Sequence, residues 1–254
     1  MLALFREVTS LAARRAVRAW PVALSFFVYA LIMVAAAAVL APLGMVGGLV
    51  IGFVLAACWS SYLELVSQAV AGSKIRLSWI DFRRTFAARL WDVVSVMFAF
   101  WIISLLMSPM MGGPHGERVA AVFGLAVAFF FNAVPELLYQ GHSRSFALLL
   151  DSARFMIAHP VVWLLPNLAF ATLLLLPTGR LSVNQPAELL LVFGSTFSSP
   201  LGLAGMVGAW PMWAWPLILF GLHYAMVFRG LLFQQLSSGV DNPRLRAFRA
   251  KMRG

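Results

Sequence analysis

Residues 21–42 read PVALSFFVYALIMVAAAAVLAP, a run without a single charge. About 20 apolar residues are what a helix needs to cross the hydrocarbon of a bilayer. Over all 254 residues, 62% are hydrophobic and 11% are charged. A soluble domain has roughly 45–50% apolar and about 25% charged residues. A water-soluble fold of this size cannot hide so much apolar surface, so lipid must be the solvent. Basic residues Arg6 to Arg18 precede the run, as in a signal peptide. Secretory apolar regions, however, are only about 7–15 residues long, so 22–41 is expected to stay as a first span.

Working outward, further spans are expected near 44–66, 91–111, 118–138, 160–178 and 210–234. With a cytoplasmic N-terminus, seventeen of the nineteen basic residues fall on inner segments and only Arg118 and Arg180 fall outside. That asymmetry is the positive-inside pattern, and it predicts six spans with both termini cytoplasmic. The expected fold is therefore an all-α integral membrane protein, one polytopic domain over 1–254. The segment 187–208 is nearly long enough to span, but its glycines, serines and Pro200 suit an interfacial or re-entrant piece within an outer loop, 179–209. Pro42, Leu43 and Gly44 form a tight turn that sets the first two spans side by side. Gly44, Gly48 and Gly52 recur every four residues and predict close packing on Ala35–Ala38 within the chain.

The layout repeats three times, each unit opening with a basic amphipathic segment: 1–20, 73–90 and 143–158. In the second, Ile75, Trp79, Phe82, Phe86 and Leu90 keep helical spacing; in the third, Phe146, Leu149, Leu150, Ala153 and Ile157 share a face. Asp81 with Arg84, and Asp151 with Arg154, make the same i,i+3 pair. The returning helices end in Glu64 with Gln68 and in Glu136 with Gln140. Relative to the first unit, the third carries extra residues, and they fall in the 179–209 loop. Six spans, amphipathic segments before the odd-numbered ones, and Glu/Gln-ended returns resemble poorly characterised bacterial membrane proteins. That group is similar to the membrane domain fused to some glycerophosphodiester phosphodiesterases. No phosphodiesterase domain is present, so the resemblance implies no catalysis.

The net charge of +10 follows the span flanks and does not form a nucleic-acid footprint. Seventeen basic residues are arginine, the usage of a GC-rich bacterial genome, which makes the inner (cytoplasmic) membrane the expected location. Anionic lipids at the cytoplasmic face are the expected partners of Arg83, Arg84, Arg89, Arg244, Arg246 and Arg249, the last three in the basic tail 237–254. One cysteine, Cys58, allows no intrachain disulfide. The four histidines lack ligand spacing, so no metal and no cofactor is expected. FRGLLF at 228–233 resembles the end of the EExxxR motif of intramembrane CAAX-type proteases, but Tyr224 and Ala225 stand where that motif needs carboxylates.

Polar residues remain at similar depth in the apolar spans: Asn132, Asn167 and His223, with Glu64, Glu136 and Arg229 at or just below them. Arg229 lies roughly 24 Å along a helix from Trp213, in an aromatic belt with Trp210 and Trp215, so it is expected to snorkel at the inner interface. Glu64 and Glu136 are expected to pair with Arg84 and Arg154. Polar groups inside a membrane face a bundle interior or a wet cavity, and function is the default reading. Plain interhelical hydrogen bonding, worth about 0.6 kcal/mol on average, is the alternative. The expectation is a non-catalytic inner-membrane protein, transport-related or part of a membrane complex, with a cytoplasm-facing polar cavity. A permease subunit of an ATP-driven transporter, docking a partner through 73–90, comes second; an intramembrane enzyme acting on lipid or peptide comes third. Topology reporters fused at Gly113 and Gln185 should read the outer side and one at Gly141 the inner side; an outer signal at Gly254 would overturn the six-span reading.

Overall fold

A computed structural model describes residues 2–73, 83, 85–111, 116–140, 145–175 and 212–240, and the regular structure among them is all helical. The elements are α1 (Leu2–Arg18), α2 (Pro21–Leu40), α3 (Gly44–Ala71), α4 (Leu90–Met111), α5 (Gly116–Phe130), α6 (Val134–Gln140), α7 (Ser145–Ala158), α8 (Pro160–Leu175) and α9 (Trp215–Val240). Short 3-10 turns lie at Ala41–Leu43 and Met212–Ala214.

Four stretches are long and apolar enough to cross a membrane: Pro21–Ala71, Leu90–Pro109, Arg118–Gln140 and Trp215–Ser237. A bent pair, Phe146–Ala158 with Pro160–Phe170 at 95°, makes a fifth if counted as one span. Two geometric facts separate this count from the six expected spans. The first stretch holds 51 residues, because α2 and α3 run together through the 3-10 turn. The expected span at 160–178 is described only to Leu175 and is set sharply against α7.

α2 and α3 do pack antiparallel, as the Pro42 turn requires. The Phe26 ring lies tilted against Tyr62 with centroids 4.6 Å apart, the Tyr29 hydroxyl donates to Ser61 Oγ at 2.8 Å, and Gly47 meets Leu40 at the turn. The expected glycine face is wrong by one register. Nothing lies within 4 Å of where a side chain on Gly48 or Gly52 would begin, whereas a Cβ on Gly47 would run into the Leu40 carbonyl oxygen. Gly44 instead serves the turn, at φ 59°, a conformation that glycine adopts without a Cβ penalty. α3 stops at Gly72, φ 83°, whose N–H bonds the Ala69 carbonyl while the Ser73 N–H bonds that of Gln68. This is a left-handed glycine cap.

Helix α9 is the axis of the bundle: 72% of its most apolar window is buried inside the protein, against 22% for Pro21–Ala71 and 17% for Leu90–Pro109. The other long helices leave apolar faces outward, with Leu31, Val39, Met45, Leu49, Trp101 and Leu106 exposed. In water that surface would aggregate; in hydrocarbon it is at home, and these are the dimensions of a membrane-embedded bundle. α1 buries Val8, Ala12 and Ala16, and Ala19 just beyond its end continues the stripe, whose small side chains let the helix lie close along α9.

Of the large residues expected to share a face in the third amphipathic segment, only Leu149 is buried. α7 buries Leu148, Leu149, Ser152 and Met156, while Phe146, Leu150 and Ile157 point outward. Large apolar residues stand on both sides of α7, so their periodicity alone could not choose which side meets the bundle. The Asp151–Arg154 pair forms on its exposed side at 3.6 Å. Ile75, Trp79, Phe82, Asp81, Arg84, the 187–208 piece and the tail residues Arg244, Arg246 and Arg249 lie outside the described residues. Gly47→Ala should cost about 1–3 kcal/mol through overpacking. Gly48→Ala should be neutral, and thermal exposure of the buried Cys58 thiol to a fluorogenic reagent compares the two.

Candidate functional site

The helix that enters as α5 does not run straight into α6. Residues 131–133 form a turn, and the cause is Pro135, which has no N–H to offer the carbonyl of Phe131. That carbonyl takes the Val134 N–H instead, at 3.1 Å, which leaves the Phe130 carbonyl without its usual helical partner. Inside lipid a freed carbonyl must be satisfied by protein. Ser152 Oγ of α7 donates to the Phe130 oxygen at 2.8 Å, and Arg229 Nη2 of α9 donates to the Asn132 oxygen.

The same guanidinium grips Glu136 with two parallel bonds, Nε to Oε1 at 2.7 Å and Nη2 to Oε2 at 3.0 Å. Both side chains are essentially out of solvent, at 1% and 0% exposure. A bidentate fork suits arginine and carboxylate geometry, and each charge is compensated where it is buried. The Trp163 ring of α8 covers the cation, with its centroid 5.1 Å from Arg229 Cζ, a cation–π arrangement. Trp163 then donates from Nε1 to Asn132 Oδ1 at 2.8 Å. Asn167 Nδ2 donates to the Trp163 carbonyl at 2.8 Å and, more weakly, to Asn132 Oδ1 at 3.4 Å. Gln140 Nε2 bonds the Gly230 carbonyl at 3.2 Å, closing α6 onto α9 a second time. Gly230 is required there: a Cβ would collide with the Tyr139 hydroxyl and with Val70.

Of the six polar residues expected together, four meet in this network: Asn132, Asn167, Glu136 and Arg229. They bond one another in a buried cluster. Arg229 does not snorkel, because Glu136 lies one short reach away inside the bundle and water does not. Arg154 is held by Asp151, so it is not the partner of Glu136.

Glu64 belongs to a second cluster. Its partner is Arg89, at 2.9 Å, and that arginine is therefore tied into the bundle and is not a free lipid-facing charge. Arg89 also donates from Nη1 to the Leu138 carbonyl at 2.7 Å and from its backbone N–H to Ser60 Oγ at 2.7 Å. The chain reaches this position through Ala87, whose φ of 60° is left-handed for a residue that carries a Cβ. Arg83 is exposed. His223 is fully buried under α1 beside the Ala16 backbone, and neither ring nitrogen finds a hydrogen-bond partner among the described residues. The Tyr62 and Tyr139 hydroxyls and Asn167 Oδ1 are likewise buried and unsatisfied there.

Trp163 and Ser152 are the participants that sequence reasoning did not find, and Arg89 was expected to meet lipid, not Glu64. A signal for Trp163 exists: it precedes Asn167 by four, as Asn132 precedes Glu136, so two polar-bearing i,i+4 faces could be matched. Compared with protein-family models, with curated proteins and with solved structures, the chain matches none.

Glu136→Gln should destabilise the protein by about 3–5 kcal/mol, because it strands a buried cation. The double change Glu136→Leu with Arg229→Met should recover most of that loss. Thermal melts of Glu136→Leu alone, Arg229→Met alone and the double variant give the coupling directly, and additive losses would show that the pair does not interact.

Proposed function

We propose that this is a non-catalytic, transport-related protein of a bacterial inner membrane, crossing it six times with both termini in the cytoplasm. In this reading the Arg229–Glu136 pair holds shut a polar cavity that opens toward the cytoplasm. The observation that carries it is a fully buried ion pair seated on a break in an apolar helix. A buried pair returns little net stability over an apolar replacement, so stability alone is a weak reason for its presence. Ionisable groups inside membrane bundles mark ion, proton or substrate paths by default. Broken helices with backbone groups turned to a polar interior are the architecture of transporter binding sites, an analogy of geometry and not of ancestry.

The unsatisfied atoms support the same reading. Tyr62, Tyr139 and Asn167 present polar atoms with no partner among the described residues. A bound solute, or water entering as the pair parts, would satisfy them. In opening, Arg229 would exchange Glu136 and the Asn132 carbonyl for solvent, while Trp163 stays held by Asn132 Oδ1. The exposed Arg83 and the amphipathic segments would sit against anionic lipid headgroups at the cytoplasmic surface.

Single cysteines at Asn132 and Asn167, in a Cys58→Ser background, test the cavity. In inside-out membrane vesicles they should react with a small water-soluble thiol reagent, and faster when Glu136→Gln is added to release Arg229. Positions inert in both backgrounds would mean that the network is interhelical glue, and the transport reading would fall.

A further inference from the structure

A second polar feature lies away from the ion pair, where α1 passes the end of α3. Leu11, Ala13, Arg14, Arg15, Val17 and Arg18, with Ala71 and Gly72, line a cavity of about 950 Å³. Arg14 and Arg15 follow Leu11 by three and four residues and precede Arg18 by four and three, so the four form one stripe along α1, next to the buried Val8–Ala12–Ala16–Ala19 stripe. The helix thus has one face for the bundle and another for the groove. Arg14 and Arg18 are exposed and Arg15 is half-buried over the cap of α3, its Nε 3.6 Å from where a Cβ on Gly72 would sit.

None of the three arginines is paired with a carboxylate among the described residues; the ion pairs there join Arg89 to Glu64, Arg154 to Asp151 and Arg229 to Glu136. Arg14 makes one long bond to the Ser10 carbonyl, 3.4 Å. Three arginines thus line one concavity with no carboxylate beside them among the described residues, and a phosphate bound there would offset their charge with forked hydrogen bonds.

Depth identifies the source of the phosphate. Exposed Trp20 stands at the junction of α1 and α2, and the apolar stretch begins one residue later at Pro21. Tryptophan at a helix end marks the headgroup level, so the groove opens where lipid phosphates lie. Its apolar lining, Leu11, Ala13, Val17 and Ala71, suits the glycerol and upper acyl chains of an amphiphile and would be wasted on free inorganic phosphate. We infer that the α1–α3 groove is a binding site for the headgroup of an acidic phospholipid. The site does not depend on the Arg229–Glu136 pair, and its test leaves that pair untouched.

The test uses the full chain purified in an uncharged detergent, with bound lipid counted by native mass spectrometry. The probes are dioleoyl phosphatidylglycerol, dioleoyl phosphatidylcholine and inorganic phosphate. One phosphatidylglycerol should be retained in preference to phosphatidylcholine, and inorganic phosphate should not displace it. Arg14→Gln, Arg15→Gln and Arg18→Gln together should weaken retention roughly tenfold or more. Ala71→Trp, which fills the groove and keeps every charge, should weaken it as well and covers the case in which the triple variant does not fold. Equal binding of the two lipids, or retention by Ala71→Trp at the wild-type level, would overturn the inference, as would displacement by inorganic phosphate, which would mark a free-anion site.

Discussion

Arg229 is the point on which the described structure turns. Its guanidinium is buried in the bundle, where protein acceptors take the place of solvent. Glu136 supplies two, the Asn132 carbonyl a third, and the Trp163 face covers the ring side of the charge. Those groups come from α6, from the break before it and from α8, so one side chain on α9 fixes the relative positions of three other segments. The break at 131–133 and the arginine depend on each other. Pro135 disturbs the local carbonyl pairing, and the cation helps to make that disturbance tolerable in an apolar surrounding.

A second arginine repeats the logic nearer the end of α3. Arg89 joins Glu64, Ser60 and the Leu138 carbonyl, so α6 is pinned by one arginine from each side. Tyr29, Ser61 and Thr85 extend that cluster toward α2. The apolar remainder contributes little direction by itself, because side chains on a lipid-facing helix gain nothing by choosing a protein neighbour over an acyl chain. Close approach is then set by small residues. Gly47 brings α3 onto the end of α2, Gly230 admits Tyr139, and Ala12, Ala16 and Ala19 admit α1 to α9.

These devices give α1 a double part. Its alanine stripe is committed to α9, and its arginine stripe is left facing the cap of α3. Had α1 been a simple surface helix, with an apolar face on lipid and a charged face in water, its arginines would have met no concavity. The groove exists because α3 runs on past the level where α2 begins and ends in a glycine cap beside Arg15.

Composition and the absence of charge in 21–42 determined by themselves that the chain is helical and apolar enough for a membrane. Proline and glycine positions determined the α2–α3 turn, because a conformation barred to most side chains is readable one residue at a time. The polar residues worth watching were also legible, since a charge in an apolar run stands out whatever it touches. Their partners were not. Glu64 and Glu136 carry the same local pattern, and only packing decided that one meets Arg89 and the other Arg229. Which glycine is crowded, and which face of α7 turns inward, were decided there too. Helical spacing names a face only when its two sides differ in polarity, and in these helices both sides are apolar.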